Sequence, residues 1–155
     1  MTWSLQIKNG DLSFAGPGGF AAVAGTAKLV QDLKHWLLEP RGSDPFHPGY
    51  GSSLDGGQLS DGSVIASSLG NLFTREDLLS IEAEIRRVLS AYQLTQSQRL
   101  DRETIQYGGK NTFSAGEILQ TVTDVDVRQL GDTAVVKISL ATANGDLLTF
   151  TQPLA

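Results

Sequence analysis

The last third of the chain alternates apolar and polar residues with a period of two, which strongly restricts how it can fold. Val125 and Val127 alternate with aspartates, and every second residue from Ala134 to Leu140 is apolar. This period is typical of strands that bury one face. Leu-Gly-Asp at 130–132 and Asn-Gly at 144–145 supply tight turns between the runs. The pattern therefore predicts a three-stranded antiparallel meander over residues 117–152.

Two segments before the meander have helical periodicity. Leucines recur on one face of residues 23–38, and Pro40 ends that helix because it lacks an N–H and restricts the residue before it. The second helix spans 74–92, where Thr74 and Asp77 resemble a capping box. Its apolar stripe fits either the protein's own sheet or a partner helix, and the polar residues 95–103 are compatible with more helix.

The first residues predict a β-hairpin over 1–15. Trp3, Leu5 and Ile7 alternate with polar residues, and Asn-Gly at 9–10 favours a tight turn. A mobile N-terminal arm is the alternative. With 155 residues in one domain, the predicted fold class is α+β: an N-terminal β-hairpin, two main α-helices in residues 23–92 and the C-terminal three-stranded antiparallel meander.

Residues 42–62 are rich in glycine and proline and predict a compact surface loop. The glycines permit tight turns, the prolines stiffen the chain, and Phe46 and Tyr50 are expected to pack the loop from inside.

Composition excludes several classes of function. Twelve basic and 17 acidic residues give a net charge of −5, which disfavours nucleic-acid binding. No run of about 20 apolar residues is present, so no membrane span is expected. The N-terminus lacks the cationic and apolar regions of a signal peptide. With no cysteine, disulfides and thiolate sites are absent, and folding in a cytoplasm is expected.

No catalytic constellation is recognisable. His35 and His47 have no second histidine at ligand spacing, so neither a metal nor a cofactor is predicted. The serine-nucleophile and dinucleotide-binding motifs are incomplete around residues 49–55. Glu39 and Asp44 are a conceivable glycosidase pair, although any two of the 17 acids could be proposed equally well. The sequence therefore predicts a protein that is not an enzyme.

The order of elements and the loop sequence resemble the baseplate wedge, or sheath-initiator, family of contractile phage tails, which has relatives in type VI secretion. Its members have a helix running into a Leu-Thr-Pro-Lys-Gly-type segment, then an Arg/His-Pro-x-Tyr/Phe-Gly-Ser loop. Here the chain reads Leu-Glu-Pro-Arg-Gly at 38–42 and Pro-Phe-His-Pro-Gly-Tyr-Gly-Ser-Ser-Leu at 45–54. The resemblance extends over residues 4–151.

One departure from the family concerns its Glu-Pro-Arg motif, which often ends the second helix and contacts neighbouring wedge proteins. Here Glu-Pro-Arg stands at 39–41, at the end of the first helix, and Arg99 is the candidate partial replacement. Residues 93–116 look like an elaboration of a subgroup. The candidate interaction residues are Arg41, Gly42, Pro48, Tyr50, Gly51 and Arg99.

The resemblance implies a structural, non-enzymatic wedge subunit of a tail baseplate that binds other wedge proteins and sheath subunits and helps to initiate sheath assembly. It implies a place in the virion after assembly in the host cytoplasm, with no nucleic acid, membrane or small-molecule partner. A free sheet edge is expected in 134–151 or in the N-terminal hairpin, unless the protein covers both. Two alternatives stay open: a peptidoglycan-cleaving tail lysozyme, as some members are labelled, and a baseplate protein of a non-contractile tail.

Overall fold

The computed structural model describes residues 2–8, 11–16, 19–58, 63–65, 74–108 and 112–154. Its class is α+β, as predicted.

In the described part of the chain before the first helix, six short strands form three antiparallel pairs. Part of the predicted hairpin is present, with Ile7 opposite Leu12 and Lys8 opposite Asp11; residues 9–10, where the turn is predicted, lie outside the described residues. Beyond these two pairs the strand partners change, so the hairpin is shorter than predicted. The pairs are β1 (Trp3–Leu5) with β6 (Ala22–Ala24), β2 (Ile7–Lys8) with β3 (Asp11–Leu12), and β4 (Phe14–Gly16) with β5 (Gly19–Phe20).

The three pairs meet at a closed ring of backbone hydrogen bonds. The N–H of Gln6 donates to Ala21 O (2.8 Å), that of Ala21 to Ser13 O (2.7 Å), and that of Ser13 to Gln6 O (2.9 Å). The backbone of each of the three residues thus donates one hydrogen bond and accepts one. This satisfies the backbone N–H and C=O groups at the point where one strand pair gives way to the next.

Helix α1 (Gly25–Leu38) buries Leu29, Leu33 and Leu37, the predicted apolar face. It begins at Gly25 and not at residue 23, because residues 22–24 pair with β1.

A small second sheet follows α1. It contains β7 (Pro40–Arg41), β8 (Ser52–Gln58) and β9 (Val64–Ile65), with β8 in the middle. The prediction of a loop over 42–62 is therefore wrong for residues 52–58. Their glycines weaken the strand pattern, but pairing with two neighbours and the burial of Leu54 stabilise an extended backbone. Residues 59–62 lie outside the described residues.

Helix α2 (Arg75–Gln106) is longer than the predicted 74–92. The predicted capping box at its start is present, with the Thr74 and Asp77 side chains each accepting from the other's backbone N–H. The apolar stripe ends near Tyr92, but the helix continues through the polar residues 93–106. Arg99 and Glu103 pair there with a spacing of four, which supports an exposed helix.

The predicted meander is confirmed. It consists of β10 (Leu119–Leu130), β11 (Thr133–Thr142) and β12 (Leu147–Leu154), in the spatial order β10-β11-β12. Gly131 and Gly145 take positive φ in the two turns. Pro153 lies inside β12 and does not end it, because an edge strand tolerates a missing N–H.

Both helices pack on one face of this sheet, so the stripe of α2 is seated on the protein's own sheet. The core contains Leu29, Leu33, Ile81, Ile85, Val88, Ala134, Val136, Ile138 and Leu140, all fully buried.

A buried carboxylate, Glu117, joins the first residues, the start of α1 and the sheet. Its side chain is 1% exposed and accepts from Gly25 N–H (3.3 Å), Ser114 Oγ (2.7 Å) and both the N–H and Oγ1 of Thr2. Ala24 provides no side-chain cap for α1, so Glu117 takes that place from elsewhere in the chain. Burial works to raise the pKa of Glu117, but these hydrogen bonds outweigh it, and the pKa is lowered.

We expect Glu117→Gln to lower the free energy of unfolding at neutral pH by about 2 kcal/mol, because an uncharged amide cannot accept from all these donors. The hydrogen bonds stabilise the ionised carboxylate, so the variant's loss of unfolding free energy relative to wild type is complete above the ordinary glutamate pKa. It shrinks as the pH falls through the lowered pKa. Urea unfolding across that range measures it; Asp101→Asn, which removes an exposed negative charge from α2, should show no such loss.

Candidate partner-binding site

Three aromatic side chains hold the loop of residues 42–51 against the helices. The rings of Trp36 on α1 and Tyr50 in the loop meet edge to face, with centroids 4.7 Å apart. Tyr92 on α2 meets Trp36 in the same way at 5.6 Å. Edge-to-face pairs add stability beyond the area they bury, so Trp36 fixes the end of the loop between the helices. Burial raises the pKa of both tyrosines.

An ion pair on α2 fixes the next part of the loop. Arg87 and Glu84 form a two-point contact (2.6 and 2.7 Å), and Arg87 Nη2 also donates to Gly51 O (3.0 Å). Glu84 accepts from the N–H of Ser53 (2.7 Å). Burial works to raise the pKa of Glu84, but the bonds from Arg87 and Ser53 outweigh it and lower the pKa. Sequence reasoning missed this contact. The i, i+3 spacing of Glu84 and Arg87 is compatible with an ion pair, but it does not indicate that the pair bonds to the backbone of Gly51 and Ser53.

Gly51 occupies a position that only glycine fits. Its φ is +88°, and a Cβ there would lie 2.5 Å from the carbonyl oxygen of Glu39. The approach is close because the next residue, Ser52, donates its N–H to that oxygen (2.8 Å) and its Oγ to Leu37 O (2.6 Å). The loop therefore closes directly onto the end of α1.

We expect Gly51→Ala to lower the free energy of unfolding by about 2 kcal/mol or more, because it combines left-handed backbone strain with a backbone clash. Gly49→Ala is the matched control, since a Cβ at Gly49 meets nothing within 4 Å. Thermal unfolding of both variants measures the difference; equal melting temperatures would contradict the close approach.

The tip of the loop differs from the prediction at Phe46, which is 87% exposed and does not pack the loop. The tip is shaped instead by Asp44, which accepts from the Phe46 N–H (2.8 Å) and pairs with the His47 ring at 2.8 Å. The His47 hydrogen bond lowers the pKa of Asp44. A polar turn takes the place of the expected aromatic one because Asp44 satisfies the backbone locally.

Three of the six candidate interaction residues come together. Pro48, Tyr50 and Arg99 line a cavity of about 630 Å³ between the loop and α2, which we call the outer groove. Arg41 is the last residue of β7, and Gly42 follows it in a turn. Gly51 closes the other end of the loop, where its carbonyl oxygen accepts from Arg87. Arg99 lies inside α2 and not at its end. The structure therefore brings Pro48, Tyr50 and Arg99 together at one cavity and leaves Arg41, Gly42 and Gly51 outside its lining.

A second cavity of about 530 Å³, which we call the inner cleft, is lined by Trp36, Tyr50 and Tyr92. It shares Trp36, Tyr50, Thr95 and Arg99 with the outer groove, and residues of the N-terminal strands also line it. Ser4 lines it, and the Ser4 Oγ is buried with no hydrogen-bond partner among the described residues.

The acids considered for glycosidase chemistry serve the loop locally. Glu39 accepts from Ser43 Oγ (2.7 Å), and the lowered pKa of Asp44 is opposite in direction to what a general acid needs. In the described part of the chain, no group of three or more His, Asp or Glu side chains is placed to hold a metal ion. Neither described helix combines the length and the hydropathy required to cross a bilayer.

Comparison with models of known protein families gives no match to this chain, and comparison with curated proteins gives none either.

Proposed function

We propose that this protein is a structural, non-enzymatic wedge subunit of a contractile tail baseplate that binds other wedge proteins and helps to initiate the sheath. Two features support the proposal: the resemblance of residues 38–54 to the loop of that family, and the edge of β12 on which no described strand pairs, called the free edge below. In this proposal the protein acts in the virion, after assembly in the host cytoplasm.

The free edge carries the proposal. Within the described residues, β12 pairs with β11 alone. The N–H of Thr142 donates to Asp146 O, and hydrogen-bonded pairs alternate along an antiparallel ladder. The backbone groups of the even-numbered residues of β12 therefore bond to β11, and those of the odd-numbered residues point away from the sheet. Pro153 is odd-numbered and agrees with this assignment, since it has no N–H to offer. Leu147, Thr149 and Thr151 therefore present outward-facing N–H and C=O groups.

Such an edge suits strand addition by a partner. Unpaired backbone groups along an edge give affinity when another strand bonds to them. Leu147, at the start of β12, is 78% exposed, so an added strand would also cover apolar surface. Pro153 interrupts the row at its far end, which confines strand addition to about the first five residues of β12.

We expect Thr149→Pro to weaken association with purified sheath subunits by about tenfold or more, because it removes an outward N–H from the middle of the edge. Thr149→Val is the matched control: both changes remove the hydroxyl contact with Ser139, but valine keeps the N–H. Co-elution and titration of labelled protein measure the difference, with thermal unfolding to verify both folds.

Equal weakening by proline and valine would exclude strand addition at β12. Failure of the wild-type protein to bind any candidate wedge or sheath protein would overturn the baseplate proposal. Clearing of a cell-wall suspension by wild type but not by Glu39→Gln would establish the lysozyme alternative instead.

A further inference from the structure

The outer groove has one wall on α2 and the other on the loop of residues 42–51. The α2 wall is a single helix face, because its members recur at spacings of three and four. From Ala91 to Arg102 this face extends about 16 Å, or three helical turns. The lining residues that the argument uses are Phe46, Pro48, Tyr50, Leu94, Arg99 and Arg102.

The apolar part of the groove is open. Phe46 on the loop and Leu94 on the helix are 87% and 59% exposed, although they line the same cavity. Trp36 and Tyr50 complete the lining of this part. Exposed aromatic and aliphatic groups on facing walls gain free energy if a large apolar side chain enters between them.

The charged side chains that line the groove are basic, although the protein is negative overall. Among the described residues, the lining contains Arg99 and Arg102 but no aspartate or glutamate, whereas the chain as a whole carries a net charge of −5. Asp44 pairs with His47 and Glu103 with Arg99, both from outside the lining. A groove of this sign favours a negatively charged partner segment.

Arg99 is already ordered for such contacts. Its Nε donates to Glu103 (3.2 Å), and its guanidinium carbon lies 4.8 Å from the centroid of the Phe113 ring. The side chain is still 61% exposed, so its terminal nitrogens remain accessible to a partner. Arg102 follows three residues later on the same helix face and is exposed as well. The two arginines therefore lie within one helical turn of each other along the groove.

We propose that the outer groove binds an acidic amphipathic segment of a partner protein. A large apolar side chain of that segment lies between Phe46 and Leu94, and its carboxylates accept hydrogen bonds from Arg99 and Arg102. Planar guanidinium groups bind carboxylates at two points, and a held side chain loses less entropy on binding. The proposal rests on the proposed function in one respect, that this protein works by docking other proteins, and it adds the chemistry of one partner segment.

Synthetic peptides of about eleven residues, the length of three helical turns, test the groove directly. One carries glutamates around a central leucine and phenylalanine; a second replaces the glutamates by lysines, and a third replaces the apolar pair by serines. The chain has two tryptophans, so a Trp3→Phe background leaves Trp36, in the groove, as the fluorescent reporter. A short single-stranded oligothymidylate is the competing class of ligand.

We expect the acidic apolar peptide to change Trp36 fluorescence saturably and to bind more weakly as salt rises. Arg102→Glu should weaken its binding by about tenfold or more. The matched control is Arg75→Glu, which makes the same charge change at an exposed position on the other end of α2. Phe46→Ser should also weaken binding, whereas Leu147→Ser on the sheet edge should not.

The proposal is overturned if the lysine or the serine peptide binds as well as the acidic apolar one, if the oligothymidylate binds in preference, or if no peptide binds saturably at about 1 mM. These outcomes leave the edge of β12 untouched, so failure of the groove is distinguishable from failure of the baseplate proposal. Conversely, peptide binding without association to any sheath or wedge protein would support the groove and reject the baseplate role.

Discussion

The carboxylate of Glu117 is the contact on which the arrangement of the elements depends. A buried charge is tolerated only when donors surround it, and its donors come from Thr2, Gly25 and Ser114, which are far apart in the sequence. Gln96 adds a second link: its amide donates to Glu117 O (2.7 Å) and accepts from Leu119 N–H (2.9 Å). Both helices are thereby fixed to the start of the sheet by polar contacts, in addition to the apolar core.

This fixed arrangement gives the loop of residues 42–51 a rigid support. With α1 and α2 held in place, Trp36 and Tyr92 form the aromatic contact against which Tyr50 packs. Arg87 then holds the backbone at Gly51. The loop is irregular in backbone but is ordered by its neighbours, which is the property that a docking surface requires. A shape held in advance lowers the entropy cost of binding.

The two surfaces proposed for partner binding differ in physical character. The edge of β12 offers backbone hydrogen bonds, which are insensitive to the partner's sequence. The outer groove offers two arginines and an apolar recess, which select for charge and side-chain size. They lie on different elements, so one partner at each is compatible with the geometry of a protein that joins others in an assembly.

The sequence by itself determined the elements whose signals are local. Period-two alternation and Asn-Gly at 144–145 specified the meander, leucine spacing specified α1, and Thr74 with Asp77 specified the start of α2, because each depends on residues within one or two turns. Of the candidate site, the sequence predicted that the glycines of the loop permit tight turns, but the close approach that requires glycine at Gly51 is a tertiary contact with Glu39. Only the tertiary structure decided the strand over 52–58, the pairing of β1 with β6, the exposure of Phe46 and the placement of Arg99 and Tyr50 in the lining of one cavity. These depend on contacts between residues distant in the chain, whose free energy no local pattern contains.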